Sequence, residues 1–380
     1  MNRVPVRALI TAVALGLPAL FVAACGSSSK APAGSKQLSF TLTEEGCTPT
    51  EASAPAGPIE FKVENEGSSK YTELEVIDGE TLLGERENVI EGDSGTFALT
   101  LEEGEYTLRC QEASGEGEGT LKVTGQLKTK KSPEIEKAIH GYKEYLLENS
   151  EELTKNTTPF VQAVIAGNIA EAKKIYPKPR INYERIEPVA ESFGDLDPRI
   201  DARENDVPKS EFGGFHRIEK ALWEEDTTKG MKPVAEGLQE DVEELEELIK
   251  GDVKIQAVEI ANGANELLTE VSTSKITGEE ERYSHIDLVD FLANVEGSQV
   301  AWEDVAPLVE KKQPKLAKEI NEDFEAVYAA LKPYETKAWP GFVLYTELNK
   351  SDTRKLAQVI DALAEKSALI PAQIAKGEEE

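Results

Sequence analysis

Histidine, methionine and cysteine are scarce in this sequence, which has 3 histidines, 2 methionines and 3 cysteines among 380 residues. Residues 36–125 contain no histidine and no methionine. A blue-copper electron carrier needs two histidines and a cysteine, usually with an axial methionine. Electron transfer through such a copper centre is therefore excluded for this part of the chain.

Basic residues are few relative to acidic ones. The chain has 42 lysines and arginines against 72 aspartates and glutamates, which gives a net charge of −30. Residues 128–131 form only a short basic cluster of the kind found in linkers. A surface of this charge repels nucleic acid and attracts cations. Nucleic-acid binding is excluded on this ground.

Common enzyme motifs are also missing. The sequence has no HExxH zinc helix, no GxSxG nucleophile elbow and no phosphate-binding loop. No cysteine lies next to a histidine in sequence, so a thiol protease has no support either. The sequence therefore predicts a protein that is not an enzyme.

The N-terminus has the pattern of an export signal. Arg3 and Arg7 give a positive start, and residues 8–24 form an apolar run that contains Pro18. This run is short for a membrane-spanning helix, so residues 1–24 are predicted to be a signal peptide.

The end of that run resembles a bacterial lipobox. It reads Val-Ala-Ala-Cys and ends at Cys25, with valine where leucine is usual. Lipidation of Cys25 would tether the protein to a membrane through residues 25–35, a segment rich in glycine, serine and alanine. The alternative is an ordinary cleaved signal that leaves a free cysteine.

Residues 36–125 alternate with the period of a β-strand. Ile59, Phe61 and Val63 share one face, and later segments repeat the pattern between glycine-rich turns. Short alternating runs with regular turn signals predict a small β-sandwich.

The period changes after a linker at residues 126–132. Ile135, Ile139, Tyr142 and Leu146 follow helical spacing, and similar stretches continue through much of the chain. Residues 133–380 are therefore predicted to form a helical bundle.

Two cysteines fall in the predicted β-domain. In an exported protein, Cys47 and Cys110 indicate either a structural disulfide or a site built from thiolates and carboxylates. The carboxylates available to such a site are those of Glu73, Glu75, Glu85 and Glu87.

The clearest candidate for metal chemistry is His216 with Glu219. Residues three apart lie on one helix face, so this imidazole and this carboxylate can bind the same ion. The pair alone is weak evidence, because about one residue in five of this chain is acidic.

Further candidates surround the pair in sequence. Glu184 and Glu187 share a helix face, an acidic loop ends at Asp201, and His285 precedes a later helix. Carboxylates with one or two imidazoles suit iron, manganese or zinc, and hard oxygen ligands favour ferric iron most.

Three segments together resemble a known family. They are YERIEPVAESFGDLDPRIDARE, GGFHRIEKALW and SKITGEEERYSHIDLVDFLANVEGS. These segments resemble the EfeO family of bacterial EfeUOB iron-uptake systems, and the resemblance covers nearly all of the chain after the signal. It implies a cupredoxin-like β-sandwich followed by an all-α imelysin-like helical bundle.

The resemblance also implies site residues. It gives the helical domain a metal site, for which the candidates are His216, Glu219, Glu187, Glu184, Asp201 and His285. A second metal site in the cupredoxin-like domain would use Cys47, Cys110 and a glutamate, for which Glu73 is the candidate. The expected metal is ferrous or ferric iron, with copper and zinc as competitors.

The implied function is extracytoplasmic iron capture. The resemblance gives two partners, an iron permease in the membrane and a haem-peroxidase-like component. Two alternatives remain open: a metal-dependent peptidase of the imelysin type that uses His216 and Glu219, and a polysaccharide-binding surface protein.

Overall fold

The structure is a computed structural model that describes residues 37–79, 81–110, 118–127, 132–194, 196–251 and 254–378. The predicted signal peptide, the tether and Cys25 lie outside these residues. The described chain forms a β-sandwich followed by a helical domain, which confirms the predicted fold class.

The β-sandwich consists of two sheets. The strands are β1 Gln37–Thr43, β2 Gly46–Thr48, β3 Glu51–Pro55, β4 Gly57–Asn65, β5 Leu74–Asp78, β6 Thr81–Arg86, β7 Ser94–Leu101, β8 Gly104–Arg109 and β9 Gly119–Thr124. One sheet is four-stranded in the order β2-β1-β4-β7, and the other is five-stranded in the order β3-β9-β8-β5-β6. The pairs β1–β4 and β3–β9 are parallel, and the other pairs are antiparallel.

The alternating residues of β4 show why this sandwich forms. Ile59, Phe61 and Val63 are buried, while the residues between them are partly exposed. Phe61 stacks on Phe97 of β7, with ring centroids 4.7 Å apart. Burying one face of each sheet against the other gives the domain its own apolar core.

The helical domain contains long helices joined by shorter ones. They are α1 Pro133–Ile165, α2 Ile169–Ile175, α3 Pro177–Glu184, α4 Glu187–Glu191, α5 Leu196–Asp201, α6 Gly214–Trp223, α7 Lys232–Lys250, α8 Ala257–Thr273, α9 Asp287–Glu310, α10 Pro314–Leu331, α11 Lys350–Ser367 and α12 Ile370–Glu378. None of the described helices combines the length and the apolar character that crossing a membrane requires.

The start of α1 follows from its sequence. The Ser132 hydroxyl accepts a hydrogen bond from the Ile135 backbone N–H at 3.2 Å, and Pro133 occupies the first helical turn. The buried side of α1 then packs against α3, α7 and α9 in a second apolar core.

Polar contacts join the two domains along β7. The Asn262 amide of α8 donates to the Ala98 carbonyl at 2.7 Å, and the Gln256 amide donates to the Thr100 carbonyl at 3.1 Å. On the other sheet, the Arg86 guanidinium donates to the Thr269 hydroxyl at 3.2 Å. These contacts place α8, and the segment that follows it, next to the β-sandwich.

Candidate metal centre

The candidate site lies inside the helical domain, where helix ends and loops converge. Helix α3 contributes Arg180 and Glu184, α4 begins with Glu187, and α5 ends with Asp201. The remaining side chains come from α6, from residues 275–281 and from the first turn of α9. They are His216, Glu219, Lys275, Glu280, Glu281, Asp287 and Asp290.

A glycine at the start of helix α6 allows the helix to pack closely against the end of α5. Gly214 adopts φ +60°, and a Cβ atom there would lie 2.0 Å from the Ile200 carbonyl oxygen. Only glycine avoids this overlap and adopts this backbone conformation freely. The close approach brings the start of α6 against the end of α5, so that His216 lies beside Asp201.

His216 is buried, with both ring nitrogens facing carboxylates. Its Nδ1 lies 3.1 Å from Glu219 Oε2, and its Nε2 lies 3.2 Å from Glu280 Oε1 and 3.4 Å from Asp201 Oδ1. Burial and Arg180 disfavour the imidazolium, but hydrogen bonds to Glu219 and Glu280 outweigh them and raise the pKa of His216.

Glu219 is held firmly by the backbone. Its Oε1 accepts hydrogen bonds from the N–H groups of Tyr283 at 2.9 Å and Ser284 at 2.7 Å. Its Oε2 is left to face His216. The sequence pair His216–Glu219 thus lies on one helix face and shares a contact.

Arg180 forms the centre of one part of the cluster. It is fully buried and pairs with Glu184 and Asp201; its Nη2 lies 3.1 Å from Glu280 Oε1, and its Nε lies 3.1 Å from Glu281 Oε1. A buried guanidinium is stable only with such partners, since an unpaired buried charge is very costly.

Lys275 forms the centre of the other part. Its buried ammonium contacts Glu184 at 2.9 Å, Glu187 at 2.8 Å and Glu270 at 3.2 Å. Burial raises the pKa of Glu184, but Lys275 and Arg180 outweigh it and hold that pKa below its ordinary value. Burial, Glu184 and Glu270 raise the pKa of Glu187 well above its ordinary value.

Negative charge exceeds positive charge in this interior. Two basic residues, Arg180 and Lys275, are fully buried among a larger set of buried carboxylates. The acidic members are Glu184, Glu187, Asp201, Glu219, Glu280, Glu281, Asp287 and Asp290. Both carboxylate oxygens of Asp290 accept no hydrogen bond from the described residues. Such an interior needs bound protons or a further cation.

Three groups of side chains could hold a metal ion among the described residues. Each group places one ligand atom per residue within 4.8 Å of the others. The groups are Asp201–His216–Glu280, His216–Glu219–Glu281 and Glu184–Glu187–Asp201. Five of the residues proposed from sequence are therefore brought together: His216, Glu219, Glu184, Glu187 and Asp201.

His285 lies apart from these groups. It is partly exposed with φ +60°, and its backbone groups bond to Glu281 and Tyr345 in the turn before α9. Its side chain belongs to none of the three groups in the described part of the chain.

Glu280 and Glu281 were not among the residues proposed from sequence, although both lie in the third segment that carries the family resemblance. Nothing in the local pattern separates them from Glu279, because all three stand in one acidic run. Burial and contact with His216 distinguish Glu280. Burial raises its pKa, but Lys275, Arg203 and His216 outweigh it and hold that pKa well below its ordinary value.

A cavity of about 300 Å³ connects the cluster to the domain boundary. Asp201, Glu187 and Glu280 line it from the helical domain, and Glu73 and Glu87 line it from the β-domain. Glu73, proposed from sequence as a partner of the cysteines, lies at this boundary.

Cys47 and Cys110 form a disulfide, with Cα atoms 6.0 Å apart. A bonded pair offers no thiolate to a metal ion. Among the nearby glutamates, Glu75 forms an ion pair with Arg109.

Comparison with known proteins gives matches over both domains. The model of the imelysin family, named Peptidase_M75, matches residues 138–370, and that of the cupredoxin-like domain matches residues 16–123. The chain is 38% identical over 363 residues to the iron uptake system component EfeO of Escherichia coli (strain K12) and of Shigella flexneri. Each alignment covers 93% of this chain and 95% of the relative.

Proposed function

The chain belongs to the imelysin family and to the EfeO-type components of bacterial iron-uptake systems, and on that premise we propose that it captures iron through the buried cluster around His216. The cargo would be ferrous or ferric iron, with zinc and copper as competitors. The observation that carries this proposal is the contact of both His216 ring nitrogens with buried carboxylates. Imidazole with carboxylates is a ligand set that suits iron.

The Nε2 side of His216 is the better place for the ion. Asp201 and Glu280 face Nε2 and also line the cavity, so an ion can reach them from the domain boundary. Glu219, on the Nδ1 side, and Glu281, which belongs to the same group of possible ligands, are fully buried. We therefore assign His216, Asp201 and Glu280 as ligands.

Glu219 then acts by orienting the imidazole. Its carboxylate accepts the Nδ1–H, which fixes the tautomer that presents Nε2 to the ion. Two backbone N–H groups hold Glu219 in place for this task.

Iron transport also requires a location outside the cytoplasm and partner proteins that receive the iron. The protein would act outside the cytoplasm, attached to the membrane by a lipid on Cys25, and would pass iron to a permease of the same system. A haem-peroxidase-like component would act beside it. The acidic surface would help to gather cations, although salt screens this attraction strongly.

The test is titration calorimetry of the mature chain with anaerobic ferrous iron, chelated ferric iron, zinc and copper. His216→Ala should lower iron affinity at least about 100-fold, because even loss of a group that only orients a ligand commonly costs 10–100-fold. His140→Ala is the matched control, since His140 is exposed on α1. Unchanged iron binding in His216→Ala would contradict the proposal that His216 is a ligand of the iron.

The imelysin family also carries the name of a peptidase, which makes hydrolysis the second candidate. In that case His216 would bind zinc and Glu219 would serve as ligand or base. Cleavage of a peptide library that a chelator abolishes, and that His216→Ala lacks, would favour this candidate over iron carriage.

A further inference from the structure

The side chain of Lys275 ends in a cage of oxygen atoms inside the helical domain. The residue is fully buried, and its Nζ lies 2.9 Å from Glu184 Oε2, 2.8 Å from Glu187 Oε2 and 3.2 Å from Glu270 Oε2. Glu187 Oε1, at 3.0 Å, and Asn294 Oδ1, at 3.5 Å, complete the shell. Several carboxylate oxygens and an amide oxygen around one point are what a hard metal ion requires.

The shell is built and supported from several elements. Glu184 ends α3, Glu187 begins α4, Glu270 lies on α8 and Asn294 lies on α9. The Asn294 amide donates to Glu184 Oε2 at 2.8 Å and to Glu187 Oε2 at 3.2 Å, which holds both carboxylates toward Lys275. The ammonium is therefore seated in a fixed polar cage.

Glu280 links this cage to the His216 site. Its Oε1 lies 3.2 Å from His216 Nε2, and its Oε2 lies 4.0 Å from Lys275 Nζ. One carboxylate thus faces both positions, as a bridging carboxylate does in centres that bind two metal ions.

We propose that Lys275 is a built-in cation that takes the place of a second metal ion, so that the helical domain binds one iron and not a pair. This inference rests on the proposed function of the His216 site. The amine reaches the cage at nitrogen–oxygen distances of 2.8–3.2 Å, whereas oxygen ligands lie about 2.1 Å from a small divalent ion. The tethered charge therefore neutralises the carboxylates and keeps the cage too wide for a metal.

The consequence is a single, releasable cargo ion. Two bridged metal ions would share ligands and form a centre suited to catalysis. In the presence of Lys275, Glu184 and Glu187 form ion pairs with the lysine. The iron is then bound only by the ligands assigned at His216.

The experiment compares iron stoichiometry in the mature chain and in Lys275→Met, with anaerobic ferrous iron as the probe. Wild type should bind one buried equivalent, and Lys275→Met should bind two, because removal of the ammonium leaves the oxygen cage open to a metal ion. The double variant Lys275→Met with Glu187→Gln should return to one. Lys220→Met is the matched control, since Lys220 pairs with Glu204 outside the cluster and its loss should leave one equivalent.

One equivalent in both wild type and a folded Lys275→Met would overturn the inference and leave the proposed function intact. Should Lys275→Met not fold without metal, refolding it with excess anaerobic ferrous iron decides. The variant should then fold and hold two equivalents, because a metal ion in the cage supplies the positive charge that the ammonium supplied. Failure of iron to restore folding would overturn the inference, and a wild-type chain that takes up no iron would contradict the proposed function on which it rests.

Discussion

Glu280 joins the part of the buried cluster around Arg180 to the part around Lys275. Its two oxygens face His216, Arg180, Arg203 and Lys275. Glu279, its neighbour, is partly exposed and lies outside the groups of converging ligands. Local sequence cannot separate the two glutamates, because their difference comes from which side of the turn faces the interior.

We expect Glu280→Gln to lower iron affinity by about tenfold or more, since it removes a charged ligand beside His216. Glu279→Gln should leave the affinity unchanged within about threefold. Titration calorimetry of the two variants measures the difference. Equal affinities in both would mean that Glu280 is not a ligand.

Gly214 controls the position of His216 through the backbone. An alanine there would force a Cβ atom within 2.0 Å of the Ile200 carbonyl oxygen, at a φ of +60°. We expect Gly214→Ala to lower the free energy of unfolding by at least about 2 kcal/mol, because the conformation is strained for other residues and the atoms overlap.

Gly237 on α7 is the control for this prediction. A Cβ atom at Gly237 meets nothing within 4 Å. Gly237→Ala should stabilise the protein by about 0.5–1 kcal/mol, since alanine favours the helix. Denaturant unfolding of both variants gives the comparison, and equal stability would refute the steric argument.

At the scale of elements, helix α6 shows that residue spacing along one helix predicts which side chains are neighbours. Positions 216 and 219 share a helix face, and the structure brings their side chains to 3.1 Å. His285 shows the limit of the same reasoning, because it lies in a left-handed turn before α9 and not on a helix face. Its backbone joins that turn to residue 345 at 2.8 Å.

The disulfide belongs to the β-domain alone. It joins Cys47 to Cys110, which are 63 positions apart in sequence. Replacing both cysteines with alanine should lower the stability of the β-domain by up to about 4 kcal/mol, because the open chain has more unfolded conformations. Thermal unfolding measures this loss.

Iron stoichiometry is the second measurement on that double variant. It should stay at the wild-type value, because the proposed ligands lie in the helical domain. A lost equivalent of metal would show that the cysteines contribute to a metal site in place of a structural bond.

At the scale of the whole molecule, buried acids govern the response to pH. Burial raises the pKa of Glu266 to about 8, of Glu270 and Asp287 to about 7, and of Asp304 to about 6. In the unfolded chain these groups titrate near their ordinary values of about 4. Between about pH 4.5 and 8 the folded state therefore binds more protons, and stability falls as pH rises.

Metal-free protein should consequently melt at a higher temperature at pH 5.5 than at pH 8. The raised pKa of His216 also makes stability fall as pH rises. The lowered pKa values of Glu184 and Glu280 change stability only below about pH 4.5. Calorimetry with a chelator present tests this. A melting temperature that stays constant or rises between pH 5.5 and 8 would contradict it.

Iron binding should restore part of the stability that the metal-free protein loses at pH 8. A bound cation favours the ionised carboxylates, and a ligand that binds only the folded state stabilises it. The rise in melting temperature on adding iron should therefore be larger at pH 8 than at pH 5.5.

The two kinds of domain and the family could be predicted from the amino-acid sequence alone. Period-two alternation before residue 125 and helical periodicity after residue 133 are local properties, so they predict a β-sandwich and a helical bundle without any knowledge of contacts. The pairing of His216 with Glu219 was visible for the same reason, because it depends only on spacing along one helix.

Which of the 72 acidic residues come together in the interior depends on the tertiary structure. Glu280 lies 64 positions from His216 in sequence, and Lys275 lies 91 positions from Glu184, yet each pair is in contact. Such contacts depend on how α3, α6 and the segment before α9 pack together. An acidic residue in sequence looks the same whether it faces water or a buried cation, and the fold of the chain around it makes the difference.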